Sequence, residues 1–458
     1  MNLRRYIGNA AFYKSVLVIA LPILFQNLIT NFVNLIDNLM VGSLGTEEVA
    51  AVAIVNQLVF IYNLTIFGAL SGAGIFTAQF FGKNDFEGIR HTIRYKAITG
   101  LLITLVACLV FFLFGDKLIS AYLSDGSYNC NLEKTLELAK NYLWIIILGF
   151  VPYAVTQVYS STLKEGGETL VPMIAGFVAV AVNILVNWLL IFGVGFFPEF
   201  GVKGAAIGTT VSRIVELTVV GVYVFKTRDS HEYFKGALKS LYIPAHELRQ
   251  LLIKGIPLIL NECIWSLGMS LLTLAYSKYG LAIVAGQSIS STIVNLLNIT
   301  FRSMGIAVGI IAGRRLGAGE FEQAVDDVHK LNAFAIMISL VIGVISFGIS
   351  DYVVHLYNVS AQSKEWASFF IKASAVFMPF LSYENSAYFT LRSGGKVLIT
   401  SLFDGCYTMF VCVPVAFLFG MFASIATTYV AVQSLTVIKA VVGYVLVEKK
   451  IWVCNIVE

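Results

Sequence analysis

Charge is scarce in this chain: of 458 residues only 13% are Asp, Glu, Lys or Arg, and there are 5 His, 6 Cys, 8 Pro and 5 Trp. A soluble domain carries roughly 25% charged residues, so a surface facing water on all sides is excluded. The cysteines, Cys108, Cys130, Cys263, Cys406, Cys412 and Cys454, show no C-x-x-C spacing. Most fall in apolar runs, where a thiol packs as a small hydrophobe, and neither a metal centre nor a disulfide framework is expected. The histidines are scattered and form no ligand set. No G-x-x-x-x-G-K-[ST], H-E-x-x-H or G-x-S-x-G occurs, so nucleotide-driven and hydrolytic chemistry lack the phosphate cradle, zinc pair and nucleophile elbow they require. No enzymatic activity and no cofactor are expected. The net charge of +4 comes without a basic cluster interleaved with aromatics, so no nucleic-acid partner is expected either.

What the chain has in abundance is apolar length. Hydrophobic residues make up 58% of it, and the mean hydropathy is +0.81. Crossing about 30 Å of hydrocarbon as a helix takes about 20 residues. The chain divides into about twelve such spans, from 15–41 through 137–161 and 366–391 to 424–447. The expectation is an all-α integral membrane protein of the lipid bilayer. The opening MNLRR before an apolar run has the look of a signal peptide, but the run carries Gln26, Asn27, Asn31, Asn34 and Asp37 and reads as an uncleaved first helix. Lys and Arg concentrate in one set of connections, among them Arg4, Arg5, Lys83, Arg90, Arg94, Lys96, Arg228, Arg249, Arg314, Arg315, Lys449 and Lys450. By the positive-inside rule both termini are cytoplasmic, which agrees with an even number of spans.

The chain also repeats itself. An offset of 235 residues carries Pro22 onto Pro257, Gly45 onto Gly280 and Gly82 onto Gly317, and LPILFQN (21–27) is matched by IPLILNE (256–262). A second echo pairs STLKEGGE (161–168) with FTLRSGGK (389–396). Two homologous six-helix halves follow: residues 1–226, a polar linker at 227–250 on the cytoplasmic side, and residues 251–458. Duplicated halves are a common transporter plan, because sites form at the repeat interface and one half can rock against the other. With no nucleotide-binding motif, the energy must come from an ion gradient.

Ionisable groups within hydrocarbon are costly and by default point to function. In the first span Gln26, Thr30, Asn34 and Asp37 form one stripe at helical period, and in the fifth Asn183 and Asn187 share a face at i, i+4. With Thr209 of the sixth span at similar depth, these converge on one pocket. A carboxyl there either takes up and releases a proton or completes a Na⁺ shell with amide and hydroxyl oxygens, which makes Asp37 the expected coupling residue and Asp37 with Asn183 the candidate Na⁺ ligands. In the second half Glu262 and Glu384 each lie five residues beyond a proline, facing either a central cavity or Arg302, the basic residue expected to neutralise one of them. Asp404 and the Arg213/Glu216 pair read as packing or gating contacts. Asn56, Gln57, Gln287, Tyr383 and Tyr388, in a chain with 21 Tyr and 34 Phe, would line a roomy cavity for flat or cationic organic molecules together with Gln26, Asn34, Glu262 and Glu384.

Several segments together resemble the multidrug and toxic compound extrusion (MATE) family over nearly the whole chain: ALP (20–22) with Asp37, MVGSLGTEEVAAVA (40–53), AQFFGKND (78–85), NILVNWLLIFG (183–193), VKGAAIGT (202–209), AGRRLGAGE (312–320), LRSGGK (391–396) and Pro414. The resemblance implies twelve helices in two bundles around a V-shaped central cavity, and a monomer of the bacterial inner membrane that exports organic cations in exchange for H⁺ or Na⁺. It also implies that Asp37 is the coupling acid and that Asn183, Ala205 and Thr209 complete its site. Some relatives have a second acid at the position of Asn187; its absence here favours protons slightly. The alternative function, a flippase for a lipid-linked saccharide, calls for several cationic residues to hold a pyrophosphate.

Overall fold

The computed structural model describes residues 6–123, 132–357 and 359–457, without the side chains of Asn34, Leu35, Asn38, Thr46 and Leu281. Cys130 lies outside the described residues. Long apolar runs leave no outlet for backbone polar groups in lipid except the internal ladder of a helix, and the described residues are helical with no strand. In order the helices are α1 (Ala10–Gly42), α2 (Thr46–Lys83), α3 (Phe86–Leu123), α4 (Leu132–Ile147), α5 (Phe150–Glu165), α6 (Leu170–Ile191), α7 (Val202–Thr227) and α8 (Ala245–Ser277). There follow α9 (Leu281–Gly317), α10 (Phe321–His355), α11 (Ala361–Ser393), α12 (Val397–Ser401), two π-helical stretches (Leu402–Cys406 and Thr408–Cys412), α13 (Val413–Phe419) and α14 (Ile425–Glu448).

Ten helical stretches among the described residues are long and apolar enough to cross a membrane, and α4 with α5, bent by 45°, make an eleventh span. The twelfth expected span, 366–391, is helix α11, which fails on composition because it carries Glu384, Arg392 and a row of serines. It turns these inward: Ser374, Ser382, Glu384, Ser386, Thr390 and Arg392 are all buried. The bend between α4 and α5 comes at Leu148 and Gly149, and the carbonyl of Ile145 beside it accepts a 3.0 Å hydrogen bond from the Thr210 hydroxyl.

The described residues pack into two compact units. One comprises the described part of Met1–Leu24, with Ile75–Asp85 and Ile256–Glu458; the other comprises Phe25–Gly74 and Phe86–Gly255. Helices α1, α2 and α8 each pass from one unit to the other, α1 and α8 beside Pro22 and Pro257, where proline removes a ladder hydrogen bond. The first unit is built on small residues, with Ala307, Ala312, Ala335 and Ala387 letting α9, α10 and α11 approach around Leu331, Leu391 and Trp452. There the repeat becomes a contact. A Cβ on Gly82 would lie 1.9 Å from the Arg314 carbonyl oxygen, and one on Gly317 would lie 1.8 Å from that of Gln79. The C-terminal ends of α2 and α9 thus cross through equivalent glycines. The chain end is stitched to the same place, since Gln79 donates to the Ser393 and Cys454 carbonyls and accepts from the amide of Ile456.

In the second unit Leu163, Ala175, Val220 and Val224 form a core among α5, α6 and α7. The stretch 228–244 between α7 and α8 is a run of turns held by α3: Arg90 donates to the Glu232 carbonyl, and Arg94 to those of Ala237 and Tyr242. Lys96, which the sequence places at the edge of a connection, has no exposed surface and is ion-paired with Glu165 at 2.5 Å.

Candidate functional site

The expected polar convergence forms within the second unit. Asn187 on α6 has no exposed surface and Asn183, one turn earlier, has 2%. They can sit there because α7 comes very close, with Gly204 and Gly208 in a G-x-x-x-G spacing that admits a neighbouring backbone. A Cβ at Gly208 would lie 1.9 Å from the Asn187 Oδ1 atom. Asn187 Nδ2 donates to Asp37 Oδ1 at 2.6 Å and lies 3.3 Å from Asn183 Oδ1, and Asn183 Nδ2 donates to the Thr209 hydroxyl at 3.4 Å. One hydrogen-bonded chain therefore runs from the carboxylate across α6 to α7. Asn187 Oδ1 is buried with no hydrogen-bond partner among the described residues. Ala205 is buried on the same helix as Thr209.

Thr209 also lines a small cavity of about 50 Å³, with Asn56, Val59, Asn63, Gly149, Tyr153 and Arg213 in its wall. That exceeds the roughly 10–15 Å³ needed to admit one water, so the cavity can be wet. The cavity opens at the bend between α4 and α5. Arg213 is held there by Glu216 at 3.0 Å and by the Tyr153 ring 5.0 Å beneath it. Arg213 contributes favourably to the field at Asp37, and Tyr142, bonded to Thr209, also feels the charge of Asp37, but no ion pair to Asp37 occurs among the described residues. The sequence reading had neither Arg213 in the wall nor Tyr142 on Thr209; no periodic signal marks Tyr142.

The remaining candidates divide by unit. In the second unit Gln26 packs against Gly176, Asn56 lines the cavity, Gln57 is exposed, and the side chain of Asn34 lies outside the described set. In the first unit Glu262 accepts a 3.4 Å hydrogen bond from Tyr388, Tyr383 packs its ring near Tyr444, and Gln287 is half-buried. Glu384 has Lys439 of α14 as its partner at 3.1 Å, whereas the sequence offered Arg302 for one of Glu262 and Glu384; Lys439 also binds Asp404 at 3.0 Å. The reason is geometric, because α11 and α14 pack side by side, which no single-helix pattern reveals. No group of His, Cys, Asp and Glu suited to a metal ion occurs among the described residues.

One profile, MatE, matches the chain twice, over residues 22–189 and 257–422. The chain belongs to the MatE family. Its two matched stretches begin at Pro22 and Pro257, so the family profile and the internal repeat mark the same duplication. Relatives of this MatE chain include the probable multidrug resistance protein NorM of Thermotoga maritima, 24% identical, with the alignment covering 88% of this chain and 85% of NorM. The probable multidrug resistance protein YoeA of Bacillus subtilis is 25% identical over 90% of this chain and 88% of its own. Among solved structures, a mutant of the Vibrio cholerae MATE transporter VcmN superposes with a TM-score of 0.86 at 17% identity, covering 96% of this chain and 97% of that one. A MOP superfamily transporter from Pyrococcus furiosus gives 0.83 at 20% identity over 98% and 97%. The architecture is accordingly the twelve-helix, two-lobed MATE fold of a multi-pass membrane transporter.

Proposed function

We propose that this MatE chain is a secondary active antiporter that exports amphipathic or cationic organic compounds in exchange for a cation, H⁺ in preference to Na⁺. It acts as a monomer in the bacterial inner membrane with both termini cytoplasmic. The observation that carries the reading is the chain Asp37–Asn187–Asn183–Thr209, which links a half-buried carboxylate to a cavity wall through neutral amides and a hydroxyl. The names of the relatives, multidrug resistance proteins NorM and YoeA, support the cargo class.

The geometry suits proton exchange. As a carboxylate, Asp37 accepts from Asn187 Nδ2; once protonated it is a donor and needs an acceptor. Asn187 Oδ1, buried and unpartnered, becomes that acceptor when the amide turns over, and Asn183 and Thr209 must then rearrange at the cavity wall. Loading the acid is thus felt at the cavity wall. Sodium would use the same oxygens with a single negative charge, since Asn187 supplies none. The test is efflux of one fluorescent organic cation from everted vesicles under separately imposed pH and sodium gradients, with native protein and Asp37→Asn. Efflux driven by the pH gradient and lost in Asp37→Asn is expected; undiminished efflux by that variant ends the reading.

A further inference from the structure

Between α7, which ends at Thr227, and α8, which begins at Ala245, the chain returns from one span to the next within the second unit. Residues 228–244 therefore lie at the bilayer surface, whichever face that is. They are not a loose strap. Four backbone bonds close tight turns along them, from the amides of Phe234, Lys235, Ala237 and Lys239 to the carbonyls of His231, Glu232, Phe234 and Gly236. Besides the clamps from Arg90 and Arg94, His231 Nε2 meets Glu168 Oε1 at 2.5 Å. In turns of this pitch, side chains three apart stand side by side. One row faces inward: Ala237 and Ile243 are buried, and Phe234 packs edge-on against Tyr159. The neighbouring row, Lys235, Leu238 and Leu241, faces outward with Lys239 and Tyr242 beside it; Leu238 is 46% exposed, Leu241 62% and Tyr242 70%.

Three large apolar side chains on a fixed segment at the membrane surface are left uncovered by the chain itself, and an exposed apolar patch marks an interaction site. At this depth leucines reach the acyl boundary and a tyrosine sits at headgroup level. The cations decide which headgroup. Lys235 approaches Asp229 at 3.4 Å, but both are largely exposed, so that pair holds the lysine only weakly. Lys239 makes no ion pair among the described residues and lays its stem beside Gly236, the posture in which a lysine covers apolar surface and sends its ammonium toward phosphate. The acids Asp229 and Glu232 lie at the α7 end of the segment, so an anion is held toward the Leu238 to Tyr242 end. Because the fold already fixes the segment, little loss of freedom opposes binding.

We propose that residues 235–242 form a docking surface for anionic phospholipid, with Lys235 and Lys239 on the headgroup phosphate and Leu238, Leu241 and Tyr242 in the acyl boundary. A zwitterionic lipid offers the same acyl chains, but its own ammonium cancels the charge of its phosphate, so the two lysines supply the preference. The site does not depend on which leaflet the segment faces. Its readout is lipid contact rather than transport, so it stands or falls independently of Asp37.

The test uses full-length protein in nanodiscs, with a fluorescent amino acid placed at Leu241 by stop-codon suppression, which leaves the cysteines untouched. The discs hold equal parts of phosphatidylglycerol and phosphatidylcholine, one or the other brominated high on its acyl chains so that it quenches on contact. A basic residue near an anionic membrane surface contributes about fivefold, so phosphatidylglycerol should be enriched about fivefold to twenty-five-fold at Leu241. Lys235→Gln combined with Lys239→Gln should bring the two lipids level without abolishing quenching, since the apolar residues remain. The same fluorophore at Leu105, 66% exposed within α3, should be quenched equally by both lipids. Every substituted position is exposed, so the variants should fold as the native chain does. Equal quenching by the two lipids at Leu241 overturns the proposal, as does a preference that survives the double lysine variant. Quenching at Leu241 by aqueous iodide and by neither lipid also overturns it, and leaves the patch to water or to a protein partner.

Discussion

Replacing Gly208 by alanine tests the site without touching a charged or polar group. The new Cβ would lie 1.9 Å from Asn187 Oδ1 and 3.0 Å from its Cγ, with the backbone nitrogen of Asn187 at 3.2 Å. The severest clash is with the far end of a side chain, so the amide swings away while the two helices part by only a few tenths of an ångström. Reaching ordinary contact at 3.4 Å takes a displacement of about 1.5 Å, enough to carry Nδ2 off Asp37, from which it now stands 2.6 Å. A hydrogen bond to a charged group contributes about 1.5–3 kcal/mol. At 1.4 kcal/mol per decade, Gly208→Ala should lower ion-driven efflux about tenfold to a hundredfold with near-native yield and melting temperature. The control is Gly204→Ala, one turn earlier, whose Cβ would meet the carbonyl carbon and oxygen of Leu190 at 2.6 Å and the amide nitrogen of Ile191 at 2.9 Å. Those atoms are backbone and cannot swing, so this variant should lose stability and yield. Everted-vesicle efflux and detergent melting curves on both separate the outcomes. Normal efflux by a folded Gly208→Ala would refute the claim that the Asn187–Asp37 bond matters to transport.

Asn187→Asp places a second carboxylate beside Asp37 and should increase the dependence of efflux on an imposed sodium gradient; an unchanged ion preference counts against the argument from missing charge. Lys96→Met removes the ammonium beside Glu165, only 12% of whose side chain is exposed, and breaking one side of a buried pair costs about 3–5 kcal/mol. A clear drop in melting temperature is expected, and restoring most of it by adding Glu165→Gln would place the cost in the carboxylate's charge.

Much of this was legible in the residues. Spans follow from apolar length, and the duplication from prolines and glycines at a fixed offset, because both signals lie within one stretch of chain. Asp37, Asn183, Asn187 and Thr209 could be brought together because helical period and depth fix both face and height. What escaped depends on which faces of different helices meet. Lys439 is visible as a lone lysine in the last span, and the rule that buried charges come paired would have led to Glu384 or Asp404; choosing both required the π-helical turn that rotates Asp404. Lys96 was assigned to a connection because hydropathy stops near residue 95, whereas α3 runs on from Phe86 and turns its polar end inward. The cavity depends on the bend at Gly149, which hydropathy reads as continuous helix.

The two halves of the duplication hold their buried acids differently, and the difference bears on what each can exchange. Asp37 is held by a neutral amide, so adding a proton to it removes one charge and strands no ion-paired cation. Glu384 and Asp404 share Lys439, so protonating either would leave an ammonium short of counter-charge at a cost of several kcal/mol. That cluster therefore resists protons in a way that Asp37 does not. On the function proposed above, the half that answers the gradient is the N-terminal one, through Asp37. The corollary is separable by mutation: in everted-vesicle efflux, removing Asp37 should abolish the response to pH, whereas a folded Lys439→Met should leave that response in place.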